Sequence, residues 1–347
     1  MAEKVRLYAG TDHGVRVYRP GAQGWDEVAS LDAGPAARTI CGSDRHPERV
    51  FAGLHRDGLY RTEDAGVHWE KVFEGQVRSV AFDPSDEDVV YIGTEPIQLF
   101  RSDDRGSHWD ELRSLGDFPP EIKARWWFPT EPHIGHVLDI HINPVDPNLI
   151  LLALEHGGIV RSLDRGRTWE DVSAGIDYLD IHMLASLPGR LDRYYAATAR
   201  GFYTTEDPAD GWVRAERGFT RDYFHDFVFL PPDRDGESPT MLIATADKSP
   251  GSWNRPEGAR AAVFRSFDCG GSWHQIGAGL PESLDDNVWG MALDPRDKRS
   301  AFIGLGSAFA ASGSRPGAIL GTRDRGESWQ PLGMDVPAVR CLWAVGE

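Results

Sequence analysis

Carboxylate, imidazole and indole side chains recur at comparable points along this 347-residue chain. Asp139, Asp180, Asp226 and Glu155 are four carboxylates from which a catalytic pair can be drawn. Most glycoside hydrolysis needs two such groups flanking the scissile bond, about 5–5.5 Å apart for retention and about 6.5–9.5 Å for inversion. His133, His136, His182, His225 and Arg221 supply hydrogen bonds for a polar ligand, and Trp126, Trp127 and Trp253 supply stacking faces. His136, Asp180 and His182 would approach one another if they sat on adjacent sheets. No H-E-x-x-H or comparable ligand spacing accompanies them, so the metal question stays open. No cofactor motif is found.

These residues must be positioned by something, and the chain's strongest feature is a repeat. Ser or Thr, any residue, Asp, any residue, Gly, any two, then Trp reads TEDAGVHW at 62–69, SDDRGSHW at 102–109 and SLDRGRTW at 162–169. It returns as SFDCGGSW at 266–273 and TRDRGESW at 322–329. A degenerate copy, TEDPADGW at 205–212, keeps the Asp207-to-Trp212 spacing, and Trp25 marks a further unit by its tryptophan alone. An Asp carboxylate that accepts amide hydrogen bonds a few residues on fixes a tight turn. Gly permits a positive φ there, and Trp then packs between neighbouring sheets. Asp64, Asp104, Asp164, Asp268 and Asp324 are therefore read as structural.

At these residues the sequence resembles the Asp-box, or BNR-repeat, family of β-propellers, the single-ring glycosyl-hydrolase-like and sialidase-like proteins. The resemblance covers essentially the whole chain and implies an all-β fold, with the box itself a structural turn. Around each box the same order recurs: an apolar strand such as 77–82, an Asp-Pro turn at Asp83-Pro84, a second strand at 89–92, a third at 98–102, and a fourth starting at the Trp. First strands begin near Arg38, Val77, Val137, Ile181, His225, Val288 and Val339. The last has nothing after it, and the N-terminal unit lacks a first strand. The expectation is a seven-bladed β-propeller of four-stranded antiparallel blades, closed by the C-terminal strand completing the N-terminal blade. Residues 1–347 are read as one domain, with blades at 5–30 plus 337–347, 37–73, 76–113, 136–173, 180–214, 224–277 and 287–333.

In a four-stranded meander the boxes lie at one end of each blade, and the two-to-three turns and blade-to-blade connections at the other. Three long segments, 113–135, 244–261 and 306–318, all fall at that second end, with Trp126, Trp127 and Trp253 inside them. Long loops of this kind are functional or disordered. His13, His55, His156 and Glu95 fall in two-to-three turns at the same end, near Arg56, Arg78, Arg200 and Arg340.

The net charge, 37 − 54 = −17, argues against nucleic acid and against anionic membranes as partners. Cys41, Cys269 and Cys341 are odd in number and widely spaced, so free thiols in a reducing compartment are expected. No apolar run spans a bilayer, and the N-terminus lacks a signal-peptide core; a cytoplasmic monomer is the expectation. The resulting reading is a propeller that binds a small polar or carbohydrate-like ligand at the insertion-bearing end. The alternatives are a glycoside hydrolase acting through a carboxylate pair and a protein-interaction scaffold. Sialidase activity is disfavoured: Tyr18-Arg19-Pro20 lacks the Ile of that family's segment, and seven units are counted where sialidases have six.

Overall fold

β-Branched and aromatic residues at alternate positions, interrupted every few residues by Gly, Pro and Asp, favour short strands whose amides pair with a sequence neighbour. The computed structural model describes residues 5–22, 24–188, 192–234, 236–308 and 315–346. Residues 309–314 of the 306–318 segment, and both extreme termini of the expected domain, lie outside the described residues. The strands form seven four-stranded sheets, each an antiparallel meander, so the fold is an all-β, seven-bladed propeller. Helix among the described residues is confined to Pro120–Lys123 and three short 3-10 turns.

The first strands of the blades are Ala37–Gly42, Gln76–Asp83, His136–Ile142, Ile181–Ser186, Tyr223–Leu230, Asn287–Leu293 and Val339–Gly346. The last pairs with Val5–Thr11, setting Leu7 opposite Ala344 and Tyr8 opposite Trp343, so the C-terminal strand completes the N-terminal blade. The chain divides into two compact units. One comprises Met1–Val50, Thr62–Trp69 and Ala215–Glu347, and a core there gathers Leu7, Tyr18, Phe302, Val339 and Leu342. The other comprises Phe51–Arg61 and Glu70–Arg214, with cores around Tyr91, Leu99 and Leu152, and around Tyr194, Tyr203 and Trp212. Each such large apolar side chain contributes roughly 1.5–3 kcal/mol by leaving water.

The repeated turn has one geometry. In the first copy Thr62 Oγ1 donates to Asp64 Oδ1 at 2.9 Å and accepts from the Gly66 amide, while Asp64 Oδ1 accepts from the His68 amide at 2.8 Å. Asp104, Asp164, Asp268 and Asp324 accept the equivalent amides of His108, Thr168, Ser272 and Ser328. The residue before each Gly is also left-handed: Ala65, Arg105, Arg165, Cys269 and Arg325 lie at φ 55 to 65°. The turn thus takes two consecutive left-handed residues, not the Gly alone. A second difference concerns the Trp. Fourth strands such as Glu70–Phe73, Asp110–Glu111 and Glu170–Asp171 begin one residue after it. The indole packs between neighbouring sheets, as expected: Trp109, Trp212 and Trp273 donate Nε1–H to the carbonyls of Val72, Val172 and Ala215 in the preceding blade or its exit.

A further regularity was invisible in the sequence. In six blades the first strand carries a register shift near its start, leaving Arg78, Leu138, His182, His225 with Asp226, Trp289 and Arg340 outside the ladder. A β-bulge of this kind re-aims a side chain and frees an amide. Side chains close to the bulges also reach the open edge of the neighbouring first strand. Asp139 Oδ2 accepts from the Leu184 amide at 2.8 Å, Asp226 Oδ2 from the Met291 amide at 2.7 Å, and Ser79 Oγ donates to the Val137 carbonyl at 2.8 Å.

Candidate functional site

Within the unit that contains Glu70–Arg214, three consecutive first strands carry polar residues at or just before their starts, where apolar ones would serve the core. They contribute Gln76 and Arg78, His136, and Asp180 with His182. The second strands of two of these blades end in Glu95 and Glu155. Antiparallel pairing sets Gln76 opposite Glu95 and His136 opposite Glu155. The bulges then take Arg78 and His182 out of the ladder. A cluster follows from register.

His136 Nε2 contacts Glu155 Oε2 directly. Arg78 Nη2 lies 3.0 Å from the same imidazole nitrogen and 3.6 Å from Glu155 Oε2. On its other side His136 Nδ1 faces Glu95 at 3.4 Å, and Gln76 Nε2 donates to Glu95 Oε2 at 2.6 Å. Asp180 stands between two imidazoles, with His156 Nε2 at 3.2 Å and His182 Nε2 at 3.5 Å. Donor atoms of Glu155, Asp180 and His182 all fall within 4.8 Å of one another. Aromatic rings cover the cluster: Phe128 lies 5.2 Å from His136 and 5.4 Å from His156, and Tyr178 lies 5.8 Å from His156. The Arg200 guanidinium sits 4.4 Å above Tyr178.

Burial dominates the electrostatics. It pushes the Glu155 carboxyl up, and the neighbouring Asp180 charge adds to this against Arg78 and His182. Burial acts on Asp180 in the same sense, but the His182 and His156 imidazoles outweigh it and hold Asp180 below the usual carboxylate range. Desolvation holds the His156 imidazole below its usual range, against the opposing pull of Asp180. Desolvation also raises Asp139 to about 6, even though the Leu184 and Ile140 amides favour its ionised form.

The remaining residues singled out from the sequence have different surroundings. Trp126 packs on the core beside Phe118 at 5.6 Å, while Trp127 is 52% exposed and stacks on His133 at 4.7 Å. His133 Nδ1 lies 2.9 Å from the Phe128 carbonyl, which links this exposed stack to the ring covering His136 and His156. Arg221, His225, Asp226 and Trp253 belong to the other unit. There Trp253 is buried, donates Nε1–H to the Asp247 carbonyl, and meets Tyr223 and Trp289 edge-on. His225 lies 4.9 Å from Trp289, and Arg221 Nε donates to the Arg260 carbonyl. Sequence reasoning passed over Gln76, Phe128 and Tyr178. Tyr178 precedes Asp180 by two positions and Phe128 directly follows Trp127, which were the available signals.

No known family profile matches the sequence. An oligoxyloglucan-reducing end-specific xyloglucanase of Emericella nidulans is 26% identical over 207 residues, covering 57% of this chain and 24% of that protein. The GH74 xyloglucanase from Xanthomonas campestris superposes with a TM-score of 0.65 at 20% identity, covering 99% of this chain and 52% of that one. YCF48 from Cyanidioschyzon merolae superposes with a TM-score of 0.54 at 18% identity, covering 89% and 88%. The chain thus spans about a quarter of the length of the curated relative and about half that of the xyloglucanase structure. At these identities the structural likeness establishes the propeller fold. Among the described residues, no helix is long and apolar enough to cross a membrane.

Proposed function

We propose that this chain is a cytoplasmic, Asp-box-type propeller, acting as one domain and as a monomer, that binds a small polar, carbohydrate-like ligand. The site is the cluster of Arg78, Glu95, His136, Glu155, Asp180 and His182. One observation carries the reading. The exposed Trp127–His133 stack is tied through the Phe128 carbonyl to a residue whose ring covers the buried charged groups. Sugars are recognised in this way, with an aromatic face under the ring and charged acceptors and donors on the hydroxyls. The carbohydrate-acting name of the curated relative supports the same chemical class. Titration calorimetry with xyloglucan-derived oligosaccharides, cello-oligosaccharides and galacturonate tests it. Saturable binding weakened at least tenfold by both Trp127→Ala and His136→Ala is the expected result. Binding to none of these sugars at about 10 mM would reject it.

A second reading, glycoside hydrolysis, is favoured by one specific feature. Glu155 and Asp180 bring carboxylate oxygens within 4.8 Å, near the separation used by retaining enzymes. It predicts release of new reducing ends from an oligosaccharide, abolished in both Glu155→Gln and Asp180→Asn. Unchanged rates in either variant would exclude the pair.

A further inference from the structure

We infer that Glu155, Asp180 and His182 form a binding site for one divalent first-row transition-metal ion of the Zn2+ class, flanked by the imidazoles of His136 and His156. Three observations lead there. The first is the donor set. Two carboxylates and one imidazole present ligand atoms within 4.8 Å of one another, and His182 Nε2 is already 3.5 Å from Asp180 Oδ1. Two donors held at about 2.0–2.2 Å from one tetrahedral ion stand a little over 3 Å apart, so closure needs side-chain movement on the order of 1 Å. Imidazole alongside carboxylate suits Zn2+ and its neighbours better than Mg2+ or Ca2+, which take all-oxygen shells.

The second observation is an orphaned atom. Asp180 is 7% exposed, and its Oδ1, directed at His182, receives no hydrogen bond of normal geometry. A buried acceptor left in that state costs on the order of 1–3 kcal/mol, and a coordinated cation removes the cost.

The third is charge. Glu95, Glu155 and Asp180 are all largely buried, and the guanidinium facing them is that of Arg78. Three carboxylates against one permanent cation leave two negative charges to be balanced, by protons or by a divalent ion. Arg78 sits against Glu155 Oε2 and His136 Nε2, so its charge is spent at one edge of the cluster. The outer arrangement also matches a metal centre, since His136 has one nitrogen on Glu155 and the other facing Glu95, itself anchored by Gln76. Carboxylate-backed imidazoles of this kind orient ligands in metalloproteins.

This inference does not depend on the carbohydrate reading, because the metal alone is the probe. It opposes the hydrolytic one, since an ion there would occupy both carboxylates. The test is Zn2+ titration of the chelator-stripped 347-residue chain by calorimetry, with Co2+ absorption as a second readout. One equivalent should bind at micromolar or tighter affinity, with a tetrahedral or five-coordinate Co2+ spectrum. Asp180→Asn and His182→Ala should each weaken uptake at least tenfold, while His68→Ala, in the exposed turn around Asp64, should leave it unchanged. Where circular dichroism shows His182→Ala to be unfolded, Asp180→Asn, which preserves side-chain volume, decides. No uptake by the wild type at about 100 µM Zn2+ overturns the assignment, and so does undiminished uptake by Asp180→Asn. Sugar binding without metal uptake would overturn the metal site and leave the ligand reading standing.

Discussion

Replacing Asp139 by Asn isolates what its buried carboxylate does. Asp139 follows the bulge in His136–Ile142, where Oδ1 accepts the Ile140 amide at 2.9 Å and Oδ2 the Leu184 amide at 2.8 Å. Those bonds favour the ionised form, but desolvation is the larger effect and holds the group at about 6, against an ordinary value of 3.8. The folded state therefore binds more protons than the unfolded chain between roughly pH 4 and pH 6, so this group's contribution is fully present below pH 4 and lost as pH rises through 6. At 1.36 kcal/mol per pKa unit, the loss is about 3 kcal/mol. The Asn variant has no such dependence. Its single acceptor oxygen leaves one amide unserved, a pH-independent cost of about 1–3 kcal/mol. The two effects are similar in size and opposite in sign, so a comparison at pH 7 alone is uninformative. The slope is informative. Urea unfolding followed by tryptophan fluorescence from pH 4 to pH 8 should show wild-type stability, relative to Asp139→Asn, falling by about 3 kcal/mol up to pH 7 and then levelling. A difference that stays flat within about 0.5 kcal/mol, or that rises with pH, would refute the argument.

The repeated turns give a prediction of opposite sign. Asp64 and Asp104 are held at about 2 by hydrogen bonds from His68 and His108, so their contribution is present above pH 4 and lost as pH falls through 2. Melting temperature recorded from pH 5 to pH 2 should fall less steeply in an Asp64→Asn, Asp104→Asn double variant. Asp268→Ala removes the acceptor of the Ser272 amide and hydroxyl and should cost about 1 kcal/mol in chemical denaturation. Among the tryptophans of the long segments, Trp253→Ala should destabilise by roughly 3–5 kcal/mol, because the ring is buried against Tyr223 and Trp289. Trp127→Ala, at an exposed position, should stay within about 0.5 kcal/mol of wild type by the same measurement, and should act on sugar binding instead.

The blades were legible because their signals are local. A turn of eight residues carries its own hydrogen-bond acceptors and its own left-handed positions, and period-two alternation marks strands without reference to the rest of the chain. Five intact copies of that turn therefore implied the meander, its repetition, and the closing role of Val339–Gly346. The candidate site was legible in composition but not in arrangement. Asp139 and Asp180 look alike in sequence, each an acid at the start of an apolar strand. Their surroundings separate them, because one meets an amide on the edge of the neighbouring first strand and the other stands between two imidazoles. Trp127 and Trp253 likewise look equivalent within long segments. Whether an indole is buried there depends on which rings meet it from distant parts of the chain, and no periodicity encodes that. The sequence by itself determined the strands and the turns, since each depends on contacts between near neighbours, and it implied the closure by counting, because the N-terminal unit lacks a first strand and the last strand has nothing after it. Only the tertiary structure decided that Arg78, His136, Glu155, Asp180 and His182 meet, because that depends on register and on bulges across three blades.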